Sequence, residues 1–153
     1  MSIKPFGLIT ALLFLLSSPV QSQTNSISAK ALIGDLQQAI DDAADKGERV
    51  IQASIGNIHQ DSVRNIFRFL TLGKRYRILA FAEGNEIEDI DLRVYRSIDD
   101  KWMMEIQDRG DSSKGQVYFE PPATAMYRIV IDAYGYQESI EYGKFAMLIS
   151  LTD

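Results

Sequence analysis

The stretch RYRILAFA, residues 75–82, decides the fold class of this chain. Every second residue from Tyr76 to Ala82 is apolar, and Arg77 begins a second set that also contains Leu79 and Phe81. Because successive side chains of a β-strand point to opposite faces, this two-residue period predicts a strand with at least one buried face.

The same period recurs on both sides of this stretch. Alternating segments occupy residues 50–55, 63–72, 90–95, 102–108, 116–120, 127–133 and 144–151. Turns are predicted at residues 56–61 and 109–113, and a glycine-containing loop at residues 133–143. Within residues 66–70, IFRFL, the apolar side chains are too evenly spread to assign the inner face. About eight short strands at this spacing predict a mostly β protein, an antiparallel β-sandwich or jelly roll with one N-terminal α-helix.

The helix is predicted over residues 26–46, ahead of the strands. Its apolar side chains recur at three- and four-residue spacing and form one stripe, made of Leu32, Ile33, Leu36, Ile40 and Ala43. Ser28 is the expected N-cap, and Gly47 suits the left-handed position after the last turn. Such a stripe either packs on the sandwich, which protects a sheet face or edge, or serves as a detachable helix that binds a partner.

The first residues have the pattern of an export signal. Lys4 provides a positive charge, residues 6–16 form an apolar run, and small residues precede a cleavage site expected after Ser22. The run is too short for a comfortable membrane span, which needs about 20 residues, although an uncleaved anchor is the alternative. We therefore expect a signal peptide at residues 1–22, a helical segment at 23–47 and a sandwich domain at 48–153, in a periplasmic or secreted protein.

Composition narrows the classes of partner. The chain has 21 acidic and 16 basic residues and a net charge of −5, which disfavours nucleic acid and anionic membrane surfaces as partners. It contains no cysteine, so no disulfide can form. A domain of this length buries roughly two-thirds of its unfolded surface and needs no metal or disulfide to fold.

Several segments resemble the bacterial pre-peptidase C-terminal domain, a jelly-roll-like β-sandwich. The matching pieces are YRILA at residues 76–80, DIDLRVY at 89–95, VYF at 117–119, YRIVI at 127–131 and YGKF at 142–145. The resemblance implies an appended, non-catalytic role in binding, targeting or folding.

A catalytic centre is not expected. His59 is the only histidine, it lies in a predicted turn, and no Gly-x-Ser-x-Gly elbow is present. Zinc is disfavoured because structural zinc sites use cysteine or several histidines. A hydrolase is therefore the most distant of the hypotheses.

Calcium is the one metal that the sequence favours, since calcium takes six to eight hard oxygen ligands. The candidate ligands lie in or beside the acidic loop at residues 83–89 and in a loop that could neighbour it, and they are Glu86, Glu88, Asp89, Asp91, Asp108 and Asp111. Some collagen-binding relatives of the resembled family carry calcium. No cofactor is required for folding, and a calcium-dependent structural or adhesion module is the alternative function.

A contact surface of aromatic side chains is the second candidate site. It would contain Trp102 at the start of a strand, with Tyr134, Tyr136 and Tyr142 in or beside the loop at residues 133–143. Exposed aromatic rings stack on sugars or anchor protein interfaces, whereas the alternative is that these rings cap the core. The leading hypothesis is an exported, non-catalytic binding or accessory domain for a protein or an extracellular polymer such as a polysaccharide.

Overall fold

The computed structural model describes residues 21–83, 85–138 and 140–152. The predicted signal peptide lies outside these residues, apart from its last two positions. One helix, α1, spans Gln21–Asp45. Eight strands follow it: β1 (Arg49–His59), β2 (Val63–Leu70), β3 (Arg75–Ala82), β4 (Ile87–Ile98), β5 (Lys101–Asp108), β6 (Lys114–Phe119), β7 (Ala125–Tyr136) and β8 (Tyr142–Thr152).

The strands form two four-stranded sheets that pack face to face. The first sheet has the order β1-β8-β3-β6 and the second the order β2-β7-β4-β5, with antiparallel neighbours throughout. Among the described strands, only β4 and β5 are consecutive in the chain and pair as a hairpin, so the chain repeatedly crosses between the sheets. The predicted β-sandwich with one N-terminal helix is confirmed.

The core between the sheets is built by the predicted alternation. In β3, Tyr76, Ile78, Ala80 and Ala82 all face this core. The other side of β3 is also buried, because Leu79 and Phe81 contact α1. β3 is therefore covered on both faces, which explains why apolar residues appear in both of its alternating sets.

Helix α1 covers the outer face of the first sheet. Leu32, Leu36 and Ala43 are buried against that face, where they meet Leu79 and Leu148. The structure thus favours the packed helix over the detachable one. Ile33, which the predicted stripe included, is instead 56% exposed. No helix in the described part of the chain is long and apolar enough to cross a bilayer.

The two ends of α1 differ in how well the sequence predicted them. Gly47 has a φ of 73°, and the backbone N–H of Glu48 donates to the Ala43 carbonyl at 2.8 Å, which confirms the predicted C-terminal cap. The predicted N-cap is wrong, because Ser28 lies inside a helix that already includes Gln21. No glycine or proline interrupts residues 21–28, so the chain has no local reason to begin its helix at Ser28.

The turn predicted at residues 56–61 and the loop predicted at 133–143 both begin later than expected, because a strand continues through a glycine in each. β1 continues through Gly56, where an added Cβ would lie 2.9 Å from the ring of Phe145. β7 continues through Gly135, which has a φ of 64° and lies against Glu88. Glycine at these two positions allows close packing or an irregular strand, rather than marking the end of the strand.

Candidate functional site

The outer faces of the two sheets differ in coverage. Helix α1 packs over the first sheet, whereas no described element packs over the second. The outer face of the second sheet carries large apolar side chains that are between 37% and 63% exposed. We call five of them the apolar patch: Phe67 and Phe69 of β2, Met126 of β7, and Trp102 and Met104 of β5.

The strand register brings this patch together. Phe67 lies opposite Arg128, which in turn lies opposite Tyr95, and Tyr95 lies opposite Met104. This row therefore crosses all four strands of the sheet. The inward neighbours in sequence, such as Tyr127, point into the core, so the row points away from it.

An arginine lies among aromatic rings beside this patch. The Cζ atom of Arg128 is 4.7 Å from the ring centroid of Tyr95 and 4.9 Å from that of Trp102. The Trp102 ring also packs against Phe67, with their centroids 5.8 Å apart. A guanidinium in such contact with aromatic rings is attracted by their negative faces.

Arg128 differs from Arg93 and Arg96, the two arginines of β4, because it has no carboxylate partner in the part of the chain that the structure describes. Arg93 forms an ion pair with Asp132, and Arg96 pairs with Glu105 at 2.6 Å. Arg128, by contrast, has no carboxylate within ion-pair distance among the described residues. Its Nε atom is buried and has no hydrogen-bond partner in the same part of the chain. The Nε atom of Arg93 is likewise buried without a partner there, but the Nη2 atom of that guanidinium pairs with Asp132.

The far end of the same outer face is ionic rather than apolar. The hydroxyl of Tyr134 donates to Asp132 Oδ2 at 2.6 Å, and this hydrogen bond raises the pKa of Tyr134. Asp91 lies directly opposite Asp132 in the sheet. Burial raises the pKa of Asp91, and the neighbouring charge of Asp89 raises it further. At this end of the face, Asp132 therefore has both Arg93 and Tyr134 as partners.

The four predicted aromatic residues do not form one surface. Trp102 belongs to the apolar patch. Tyr134 lies on the same outer face as Trp102, but the two are far apart. Tyr134 pairs with Asp89 and Trp102 pairs with Ser97, and these two residues of β4 are roughly 25 Å apart along the strand.

The other two predicted tyrosines lie elsewhere. Tyr136 packs against the sandwich core, and its burial raises its pKa to about 12. Tyr142 is 61% exposed on the first sheet, and its ring contacts His59 edge to face at 4.6 Å. Tyr134 and Tyr136 also belong to β7 and not to the predicted loop, because β7 continues past Gly135.

The predicted calcium ligands on the first acidic loop make protein contacts. Glu86 is buried, and its Oε2 accepts a hydrogen bond from the Lys144 backbone N–H at 2.9 Å while its Oε1 lies 3.6 Å from Lys144 Nζ. Glu88 accepts from the Gln137 side chain at 3.0 Å. Asp91 belongs to β4 and is buried on the outer face of the second sheet.

The second acidic segment does approach the first, as predicted. Asp89 accepts from the Ser112 backbone N–H at 3.2 Å, which joins the two loops. Asp108 accepts from the Gln116 backbone N–H at 2.6 Å, whereas Asp111 is exposed. Within residues 21–83, 85–138 and 140–152, no three histidine or acidic side chains are grouped closely enough to hold a metal. Calcium binding stays a prediction.

In the described residues, the ring of His59 makes no hydrogen bond to a serine or threonine hydroxyl. The nearby Ser62 hydroxyl donates to the backbone carbonyl of His59 at 2.8 Å and not to its ring. The ring instead contacts the Gln60 carbonyl and Tyr142. These contacts give His59 a local structural role at the end of β1.

Sequence reasoning missed most of the apolar patch, although one signal was present. The segment IFRFL at residues 66–70 is apolar on both faces because Ile66 and Leu70 face the core while Phe67 and Phe69 face outwards. In this strand, apolar residues at both inward and outward positions therefore indicated that its outer face is apolar and exposed. Nothing in the local sequence marked Arg128 as the charged centre of that face.

The chain is similar in fold to several solved structures. One is the mitogen derived from Yersinia pseudotuberculosis, with 14% identity, a TM-score of 0.50, and coverage of 67% of this chain and 86% of that one. Another is the pre-peptidase C-terminal domain of collagenase from Bacillus anthracis, with 11% identity, a TM-score of 0.49, and coverage of 64% and 87%. The resembled family is thus represented among them.

A third similar structure is the periplasmic inhibitor of g-type lysozyme from Aeromonas hydrophila, with 15% identity, a TM-score of 0.48, and coverage of 69% and 89%. No protein-family description matches the chain, and no curated protein matches it by sequence. At these identities the likeness is one of fold, the β-sandwich.

Proposed function

We propose that this chain is an exported, non-catalytic binding domain that captures a protein through the outer face of its second sheet. The observation that carries the proposal is the apolar patch, which is exposed on one sheet while α1 covers the corresponding face of the other. Contiguous exposed apolar surface is uncommon on monomeric proteins and marks interaction sites.

The composition of this face favours a protein over a polysaccharide. Tryptophan, tyrosine, phenylalanine, methionine and arginine are the residues that protein interfaces enrich, and all five types occur together here. Sugar binding would instead combine free ring faces with polar partners for the hydroxyls. The rings of Tyr95 and Trp102 are already in contact with Arg128.

Export is the second component of the proposal, and it rests on the leader-like residues 1–22. Expression of the full chain in a bacterial host should give a periplasmic product that begins at Gln23. Mass spectrometry of the purified product tests this, and a product that retains Met1 in the cytoplasm would contradict it.

The binding function is tested by capture from an envelope extract. The exported protein is immobilised beside two variants: Phe69→Ser/Trp102→Ser in the apolar patch, and Ile33→Ser, which removes an exposed apolar side chain from α1. We expect proteins retained by the wild type and by I33S to be lost by the double variant. Equal retention by all three would contradict the proposal, and retention of protease-resistant polymer would favour the polysaccharide.

A further inference from the structure

We propose that Arg128 recognises a carboxylate of the protein partner, set among apolar side chains that pack on the apolar patch. This inference rests on the proposed function, because it describes the chemistry of the same face. It names the occupant as a partner segment in which one aspartate, glutamate or C-terminal carboxylate is flanked by apolar residues.

The first step concerns the unmet hydrogen-bonding capacity of Arg128. A guanidinium carries five N–H donors. The rings of Tyr95 and Trp102 attract its charge, but they do not provide the oxygen acceptors that a carboxylate has. Among the described residues, no carboxylate or other acceptor serves its buried Nε. A buried donor without an acceptor raises the free energy of the folded chain. A carboxylate of a bound protein would supply the missing acceptor.

Arg75 provides the internal comparison. Its guanidinium also lies over a tyrosine, 5.2 Å from the ring centroid of Tyr118. Its side chain, however, is 55% exposed, and its Nε lies 3.7 Å from Glu120. Arg75 therefore has both water and a counter-ion, whereas Arg128 is half-buried among rings and has no counter-ion from the described part of the chain.

The second step concerns the ligand class. A carboxylate matches the planar guanidinium with two parallel hydrogen bonds, and these are stronger where surrounding apolar groups exclude water. Phe67, Trp102 and Met126 provide such surroundings once a partner covers them. The net charge of −5 opposes a broadly acidic partner, so the recognition is of a single carboxylate within an apolar surface.

The third step is a binding measurement with a defined probe. Nitrogen-15 NMR of arginine Nε–Hε groups reports on Arg128 and Arg75 in the same sample while phenylacetate is added. Phenylacetamide, which has the same ring but no charge, is the matched control. We expect a saturable shift of the Arg128 resonance with phenylacetate and not with phenylacetamide. An equal response of the two arginines, or no response at Arg128, would overturn the inference.

The partner found by capture gives the decisive comparison. Arg128→Gln should weaken its binding at least about tenfold, the loss expected for a hydrogen bond to a charged group, while Arg75→Gln leaves it unchanged. Thermal unfolding within a few degrees of the wild type excludes misfolding of R128Q. If F69S/W102S loses the partner while R128Q keeps it, the carboxylate inference fails and the proposed function stands. If neither variant loses it, both fail.

Discussion

Glu48 and Arg77 form an ion pair that is buried under the end of helix α1. Arg77 Nε lies 2.8 Å from Glu48 Oε2, and the two side chains are only 5% and 6% exposed. The Ser150 hydroxyl donates to the same carboxylate oxygen at 2.6 Å. Glu48 directly follows the helix cap, while Arg77 and Ser150 lie opposite each other on β3 and β8. The pair therefore links the helix end to the centre of the first sheet.

Loss of the Glu48 charge should be strongly destabilising. Glu48→Gln leaves the buried Arg77 guanidinium without its counter-ion, so we expect unfolding to become easier by about 3 kcal/mol. Glu120→Gln is the matched control, because the Arg75–Glu120 pair is exposed and should contribute less than about 1 kcal/mol. Urea denaturation measures both values. Equal effects of the two substitutions would contradict a special role for burial.

The packing of α1 gives a second prediction. Leu32 is fully buried against the first sheet, whereas its neighbour Ile33 is 56% exposed. Leu32→Ala should therefore reduce stability by about 2–4 kcal/mol through lost burial and a cavity. Ile33→Ala should change it by less than about 0.5 kcal/mol. Thermal unfolding of the two variants decides the matter, and similar melting temperatures would mean that α1 is not part of the folded unit.

Two glycines should respond in opposite directions to the same substitution. A Cβ at Gly143 would lie 2.4 Å from Ile87 Cδ1, inside the core, whereas Gly34 on α1 has no atom within 4 Å. Gly143→Ala should destabilise by about 1–3 kcal/mol through overpacking. Gly34→Ala should stabilise by roughly 0.5–1 kcal/mol, since alanine favours the helix. Chemical denaturation should place the two midpoints on either side of the wild-type value.

Asp91 gives a prediction about pH. Burial raises its pKa in the folded state above the ordinary value of 3.8, so the folded protein binds this proton more tightly than the unfolded chain does. Stability from this group is therefore lost as pH rises through the raised folded pKa, and the ionised carboxylate is destabilising at neutral pH.

Asp91→Asn should accordingly raise the melting temperature at neutral pH by about 2 °C, and the gain should shrink as the pH falls through the raised folded pKa and vanish below the ordinary value of 3.8. Asp111→Asn, in an exposed loop, is the control, and we expect it to change the melting temperature little. Melting curves across that pH range measure the difference. A gain for D91N that is equally large in acid would show that charge is not its cause.

The sequence predicted a strand or helix and its buried side correctly where apolar residues recur at the spacing of that element. Alternation in residues 75–82 predicted β3 and its core-facing set, and the stripe on α1 correctly included Leu32 and Leu36. Glycine was a poor guide, because it serves both left-handed turns and close contacts. Gly47 does end the helix, yet Gly56 lies inside β1 under the Phe145 ring.

The candidate site was much less predictable. Trp102 was identified as an exposed aromatic residue, but Phe67 and Arg128 were not assigned to its surface. Phe67, Arg128 and Trp102 come from β2, β7 and β5, and the order of these strands in the sheet is not their order in the chain. Their contact depends on strand pairing over long sequence separations, which a local period does not encode.

By itself, the amino-acid sequence determined that the chain folds as packed antiparallel sheets with a leading helix, since side-chain alternation and helical spacing are properties of neighbouring residues. Only the tertiary structure decided which sheet α1 covers and which outer face stays open. It also decided that Arg128 lies between Tyr95 and Trp102 without a carboxylate from the described chain. These features arise from register and sheet order, which bring distant residues into contact and assign each apolar side chain to the core or to solvent.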